Sequence, residues 1–164
     1  MKRIGLLSDT HGMWDDKFYE YFNDCDEIWH AGDIGTLQLA DKFENFKSFR
    51  AVYGNIDDAS VRAAYPKTSR FEIEGVDVLM THIGGYPGRY NSEVLKIIKE
   101  DTPKLFICGH SHILKVIYDK KYDCLHINPG AAGIYGIHQV RTLIRFVLDN
   151  GNIRDLEIIE MKRD

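Results

Sequence analysis

Four histidines, two aspartates and an asparagine recur in one setting, just past a short apolar run. Asp9 and His11 follow Lys2–Leu7, and Asp33 follows Glu27–His30 through Gly32. Asn55 follows Phe49–Tyr53 through Gly54, and His82 follows Val76–Met80. His110 and His112 follow Leu105–Cys108 through Gly109. Short apolar runs halted by polar turns predict buried strands. In open α/β sheets, ligands gather beyond the carboxyl ends of such strands. Carboxylates and an amide mixed with imidazoles, without cysteine, suit hard or borderline divalent ions such as Mn²⁺, Fe²⁺, Zn²⁺ or Mg²⁺. Seven donors exceed one tetrahedral site and fit two ions that share a carboxylate. Glycine before Asp33, Asn55 and His110 lets the chain turn sharply and approach the site closely.

Singly, these motifs say little. Asp-x-His after a strand is ordinarily a capping turn, and Gly-Asp or Gly-Asn is turn punctuation. Gly-His-x-His is more specific, because two imidazoles two residues apart after a buried strand have few structural uses. The weight lies in the ordered combination.

The elements that must position these donors follow from apolar spacing. Strand, helix, strand, helix, strand is expected over Lys2–Leu7, Asp15–Asn23, Glu27–His30, Leu37–Phe46 and Phe49–Tyr53, the pattern of a parallel sheet. The second half predicts a hairpin of Arg70–Ile73 and Val76–Met80, then a helix over Ser92–Glu100 and a strand at Leu105–Cys108. Strands at Leu114–Tyr118 and Cys124–Ile127 follow, and Asn150-Gly151 joins a last hairpin of Thr142–Leu148 and Ile153–Ile159. A parallel sheet early and antiparallel ribbons late are therefore expected, as two sheets face to face with helices outside.

The 164 residues suit a single domain spanning 1–164. Twenty-one basic against 25 acidic residues give a net charge of −4, which argues against a protein that coats nucleic acid. No apolar run is long enough for a membrane span, and Ser8-Asp9 interrupts the N-terminal run before it resembles a signal peptide. Cys25, Cys108 and Cys124 show no Cys-x-x-Cys spacing and read as reduced, mostly buried thiols of a cytoplasmic protein.

In order, Asp-x-His, Gly-Asp, Gly-Asn, His and Gly-His-x-His resemble the motifs of the calcineurin-like metallophosphoesterase superfamily. The small size resembles the YfcE-like phosphodiesterases within it. The match runs from Asp9 to about Gly130 and includes Asn128-Pro129-Gly130. The resemblance implies an α/β fold, a four-layer αββα sandwich of two mixed sheets flanked by helices. It also implies a ligand partition: Asp9, His11, Asp33 and His112 for one ion, and Asp33, Asn55, His82 and His110 for the other, with Asp33 bridging. Asp33, Asn55, His82 and His110 are the catalytic set on this view. The implied reaction is hydrolysis of a phosphate ester, in first place a phosphodiester, by in-line attack of a bridging hydroxide. Mn²⁺ is the first expectation for the metal, with Ni²⁺, Fe²⁺, Zn²⁺ and Mg²⁺ compatible.

Two departures from the family pattern matter. Many members carry, after the Asn of Gly-Asn, a His that protonates the leaving group; Ile56 stands there. Asp57 is then a candidate supporting or proton-relay group, or a turn carboxylate. Where related enzymes often show His-Gly-His, this chain reads His82-Ile83-Gly84-Gly85-Tyr86-Pro87-Gly88-Arg89-Tyr90. Arg89 is a candidate phosphate clamp and Tyr86 or Tyr90 a stacking surface, against a surface loop with a solvated arginine. His30 is either a support for a ligand or a packed core histidine. His126 reads as structural and Trp14 as core, with a wall of the cleft as its alternative; His138 is an ordinary histidine to which no residue in the sequence assigns a site role.

The expected partner is a small phosphate ester, without stable nucleic-acid or membrane binding, and the resemblance suggests a homo-oligomer. The alternatives are a phosphomonoesterase or nucleotide hydrolase, and a non-catalytic scaffold like the retromer subunit of this fold. The complete ligand set favours chemistry.

Overall fold

Alternation along the first strand sets the architecture. Ile4 and Leu6 face one way and Gly5 and Leu7 the other, so a sheet built from such strands needs apolar cover on both faces. The computed structural model describes residues 1–163. The chain begins β1 (Lys2–Leu7), α1 (Lys17–Phe22), β2 (Glu27–His30), α2 (Leu37–Phe46), β3 (Ser48–Ala51) and α3 (Ala59–Ala64). It continues β4 (Thr68–Ile73), β5 (Val76–Thr81), β6 (Gly85–Tyr86), β7 (Arg89–Tyr90), α4 (Ser92–Glu100) and β8 (Leu105–Ile107). It closes with β9 (Lys115–Asp119), β10 (Cys124–Asn128), β11 (Arg141–Asp149) and β12 (Asn152–Met161).

Two five-stranded mixed sheets result, ordered β12-β11-β1-β2-β3 and β4-β5-β8-β10-β9. Between them lie Ile4, Leu6, Trp29, Met80, Ile107 and Phe146. Outside the first sheet, Leu7, Ile28 and Ala51 meet Phe18 and Phe22 of α1 and Phe43 of α2. Outside the second, Leu79, Phe106 and Cys124 meet Val94 and Ile98 of α4. These three apolar layers separate four layers, the αββα order expected. Gly5 is required where α1 crosses β1, since a Cβ there would stand 2.6 Å from the Phe22 ring.

Several expectations are corrected. The second half is not simply antiparallel: β5, β8 and β10 run parallel. The last hairpin joins the first sheet, where β11 pairs antiparallel with β1 from Lys2↔Leu148 to Leu6↔Ile144. Pairing across the whole chain length leaves no local sequence signal. Helix α1 is shorter than Asp15–Asn23, β3 ends at Ala51, and β9 begins one residue later than expected. Helix α3 was not anticipated, because Val61 is its only buried residue and one apolar position makes no period. The segment after His82 is a hydrogen-bonded ribbon, β6 against β7, rather than an open loop. The three cysteines are buried and unbonded. Among the described residues, no helix is long and apolar enough to cross a membrane.

Candidate metal centre

The donors follow the C-terminal ends of β1, β2, β3, β5 and β8, and the two sheets bring these ends together. Asp9, His11 and His112 each offer an atom within 4.8 Å of the others, and Asp33, His82 and His110 form a second such group. The groups adjoin. Asp33 Oδ2 lies 3.2 Å from His82 Nε2 and 3.5 Å from His11 Nε2, while Asp9 Oδ1 lies 3.3 Å from His112 Nε2. Asn55 Oδ1 stands 3.0 Å from His110 Nδ1 at the exposed mouth.

The proton inventory of His82 shows whether a cation fits here. Its Nδ1 lies 2.8 Å from the carbonyl oxygen of Ala31, which only accepts, so Nδ1 holds the proton. Nε2 of the neutral ring then aims a lone pair at the Asp33 carboxylate. Two acceptors facing each other need a cation or an additional proton between them. Asp9 Oδ1, His11 Nε2 and His82 Nε2 are all buried without a hydrogen-bond partner among the described residues. Such unpaired atoms are costly unless something binds them. The donor set therefore fits divalent metal.

Charge reinforces this. Burial opposes ionisation of Asp33, but the His82 contact, the Ile56 amide and His11 bring its carboxyl below the usual range. Burial likewise opposes charge on His82, yet Asp33 and Asp9 hold its imidazole above its usual value. For His11 burial prevails over the same carboxylates, and its pKa falls. Metal at His82 therefore competes with a proton.

Backbone conformation sets these donors apart. Nine described non-glycine residues have positive φ, and Asp9 (55°), His11 (47°), Asp33 (55°), His110 (73°) and His112 (63°) are five of them. The left-handed region costs an L-residue roughly 1–2 kcal/mol. Such residues persist where the surroundings over-determine them, and they cluster at functional sites. Gly54 shows how close the packing is: a Cβ there would lie 2.1 Å from Asp33 Oδ1.

The supports are as specific as the donors. His30 accepts the Gly32 N–H on Nδ1 at 3.1 Å, so its Nε2–H donates to Thr10 Oγ1 at 2.9 Å. One buried ring thereby ties the Asp9–His11 turn to the residue preceding Asp33. Asp57 ties the Asp33 turn to the Asn55 turn, accepting from Gly54 (2.7 Å), Gly35 (2.9 Å) and Ile34 (3.2 Å) amides. Both of its oxygens serve backbone amides, so it is a structural clamp, and the geometry leaves a proton-relay role without support. Asp57→Ala should cost about 3 kcal/mol in chemical denaturation, for two buried and one part-buried charge-assisted bonds. It should also weaken metal binding. A relay would instead show lost turnover at unchanged stability.

The remaining candidates divide. Arg89 and Tyr86 pair across the ribbon beside His110, and Lys115 Nζ stands 4.5 Å over the Tyr86 ring. Tyr90 lines the same cleft, but its hydroxyl is engaged, donating to Asp119 Oδ2 at 2.6 Å. His126 stacks on Phe106, and Trp14 packs on Phe18 and Phe43, both away from the donors. His138 stands edge-on to His112 at 5.2 Å. Ile56, where a leaving-group acid was sought, offers only its amide, which donates to Asp33 Oδ1 at 3.0 Å. Tyr135 was missed: its exposed ring stacks on His11 at 4.7 Å, and nothing in Gly133–Gly136 announces that contact.

Comparison with known proteins supplies the family. Residues 1–151 match the calcineurin-like phosphoesterase superfamily domain. A probable metallophosphoesterase of Methanothermobacter thermautotrophicus is 26% identical over 161 residues, covering 95% of this chain and 91% of the relative. A structure described as a novel archaeal phosphodiesterase is 25% identical with a TM-score of 0.71, covering 97% of this chain and 99% of that one. Vps29 from Entamoeba histolytica, 15% identical, shares the fold with a TM-score of 0.74 over 98% of this chain and 99% of its own.

Proposed function

The chain belongs to the calcineurin-like phosphoesterase superfamily, and from that premise we propose that this metal-dependent phosphoesterase is a binuclear phosphodiesterase. The observation that carries the reading is the pair of adjoining three-donor groups with Asp33 facing histidines of both. In the proposed partition Asp9, His11, Asp33 and His112 hold one ion, and Asp33, Asn55, His82 and His110 the other. Two divalent ions there, Mn²⁺ by preference, supply activation of water as nucleophile and neutralisation of phosphoryl charge. The chain's own part is to fix the donors. Ala31 holds the His82 ring, His30 and Asp57 hold the turns, and burial excludes water from Asp9 and Asp33.

Preference for diesters is supported by two clefts flanking the donors. One, of about 310 Å³, reaches Asn55 and His82, and the other, of about 290 Å³, reaches His110; Ile83 and Asn91 line both. A diester has an arm for each, and a monoester has one arm. With apolar Ile56 at the acid position, leaving groups must depart without a proton from that place. Rate should therefore fall steeply as leaving-group pKa rises.

The test is metal analysis of the purified protein with parallel assays on mono- and diesters of one aryl alcohol after reloading with Mn²⁺. Two metal equivalents and at least a tenfold diester preference are expected (1.4 kcal/mol). Monoester preference would shift the reading to a phosphomonoesterase. Complete inactivity with two equivalents bound would favour the scaffold, whose fold the Vps29 neighbour shares.

A further inference from the structure

The clefts differ in charge although they adjoin the same centre. In the cleft at Asn55 the cations are engaged. Lys67 pairs with Glu93 at 3.3 Å, and Arg62 donates to the carbonyls of Asp57 (2.7 Å) and Asn55 (3.2 Å). The cleft at His110 is lined by Arg89 and Lys115 and by no carboxylate. Neither cation has an ion pair among the described residues. The closest acidic residue on the same strand as Lys115, Asp119, is buried and bound to Tyr90 and the Lys121 amide. In a chain of net charge −4, two unneutralised cations beside a metal centre run against the general balance.

Arg89 is also held in place. It sits opposite Tyr86 in the β6–β7 ribbon, and beyond the ribbon Asn91 N–H bonds back to Gly84 O at 2.9 Å. Gly85 must lack a side chain, since a Cβ would meet the Arg89 carbonyl oxygen. Tyr86 adjoins both residues: Arg89 pairs with it across the ribbon and the Lys115 ammonium lies over its ring. At the cleft floor, Asn128 Nδ2 holds Gly109 O and Ser111 Oγ at 3.0 and 3.1 Å, fixing the turn that carries His110. A guanidinium carried on a fixed backbone, with an ammonium lining the same cleft, is the chemistry that recognises phosphate.

We infer that this cleft binds a second phosphate of the substrate. On this inference, which rests on the phosphodiesterase reading, the substrate is an asymmetric phosphodiester. Its uncharged arm lies against Tyr53, Val94 and Ile97 in the cleft at Asn55. The other arm carries a further phosphate into the cleft at His110. Hydrolysis adds water across one P–O bond and leaves that second phosphate untouched.

Two measurements on the Mn²⁺-loaded protein test it. The first is calorimetric binding of propane-1,3-diyl bisphosphate and propyl phosphate, which needs no turnover. The bisphosphate should bind at least about tenfold more tightly. That preference should vanish in the Arg89→Ala/Lys115→Ala double variant, which also controls for chelation of metal by the ligand. The second is kcat/KM for p-nitrophenyl phosphodiesters whose other arm bears a phosphate, no charge or a trimethylammonium group. The expected order is anionic, neutral, cationic, collapsing in the double variant. Equal affinity for the two phosphates, or a preference that survives the double variant, would overturn the inference. Charge-selective binding without turnover would count against the phosphodiesterase reading while upholding the cleft. Turnover indifferent to charge would do the reverse.

Discussion

Asp33→Asn should reduce turnover by about 10³-fold or more, corresponding to roughly 4 kcal/mol of lost transition-state stabilisation. Asparagine keeps the size of the side chain and an oxygen for the Ile56 amide, so the turn after β2 should survive. What it removes is the charge facing His11 and His82, the residues through which the two donor groups adjoin. The metal-free fold should lose a little stability. Burial opposes the Asp33 charge, but its lowered carboxyl means that the His82 contact, the Ile56 amide and His11 outweigh that cost. Metal-free Asp33→Asn should therefore melt somewhat below the native chain at neutral pH. The thermal shift produced by saturating Mn²⁺, which measures affinity for the folded state, should shrink sharply. Bound metal should fall from two equivalents towards one. Near-normal turnover, or an unchanged shift with Mn²⁺, would remove Asp33 from the bridging position and with it the binuclear assignment.

Why Asp33 was legible in the sequence and its supports were not is a matter of range. Each donor is announced locally, by an apolar run ending in Gly-Asp, Gly-Asn or Gly-His-x-His, and strand termini are local properties. The sheets could be anticipated for the same reason, from alternation within six to ten residues. Long-range pairing could not, and that is where the expectations failed. The final hairpin lies beside β1 because Leu148 to Ile144 complement Lys2 to Leu6 across the whole chain. The ambiguous residues were settled only by partners distant in sequence. His30 clamps Thr10 twenty residues away, and Asp57 clamps Ile34 and Gly35 across the site. His126, by contrast, stacks on Phe106 and meets the edge of Tyr90. The left-handed φ of five donors was invisible because aspartate and histidine, though enriched there among non-glycine residues, mostly adopt ordinary conformations.

The metal-free fold should lose stability steeply between pH 6.5 and pH 4, through two histidines that do not bind metal. Burial pushes His30 down to about 3, and pushes His126 down to about 4. In the unfolded chain both return to about 6.5. Between those values the unfolded state binds more protons than the folded one, so stability rises with pH. It is complete above 6.5 and is lost as pH falls. With both groups contributing, the slope approaches roughly 2–3 kcal/mol per pH unit near pH 5. The lowered carboxyl of Asp33 adds in the same direction at lower pH, whereas His82, held above its usual value, acts oppositely and loses its contribution as pH rises. Substitutions separate the two histidines because their surroundings differ. Both ring nitrogens of His30 are bonded, and protonating Nδ1 would expel the Gly32 amide. His30→Gln should therefore cost about 2 kcal/mol at pH 8 while flattening the acid slope by one proton. Among the described residues His126 has no hydrogen-bond partner for either nitrogen; the Phe106 backbone favours its charged form without bonding geometry. His126→Leu, similar in volume and without polar atoms, should match or exceed native stability at pH 8, and its advantage should grow as pH falls. Urea denaturation from pH 8 to pH 5 in the presence of chelator measures both variants. An acid slope unchanged in both would show that neither ring is held neutral by burial, and a destabilised His126→Leu would reveal a buried partner for that ring.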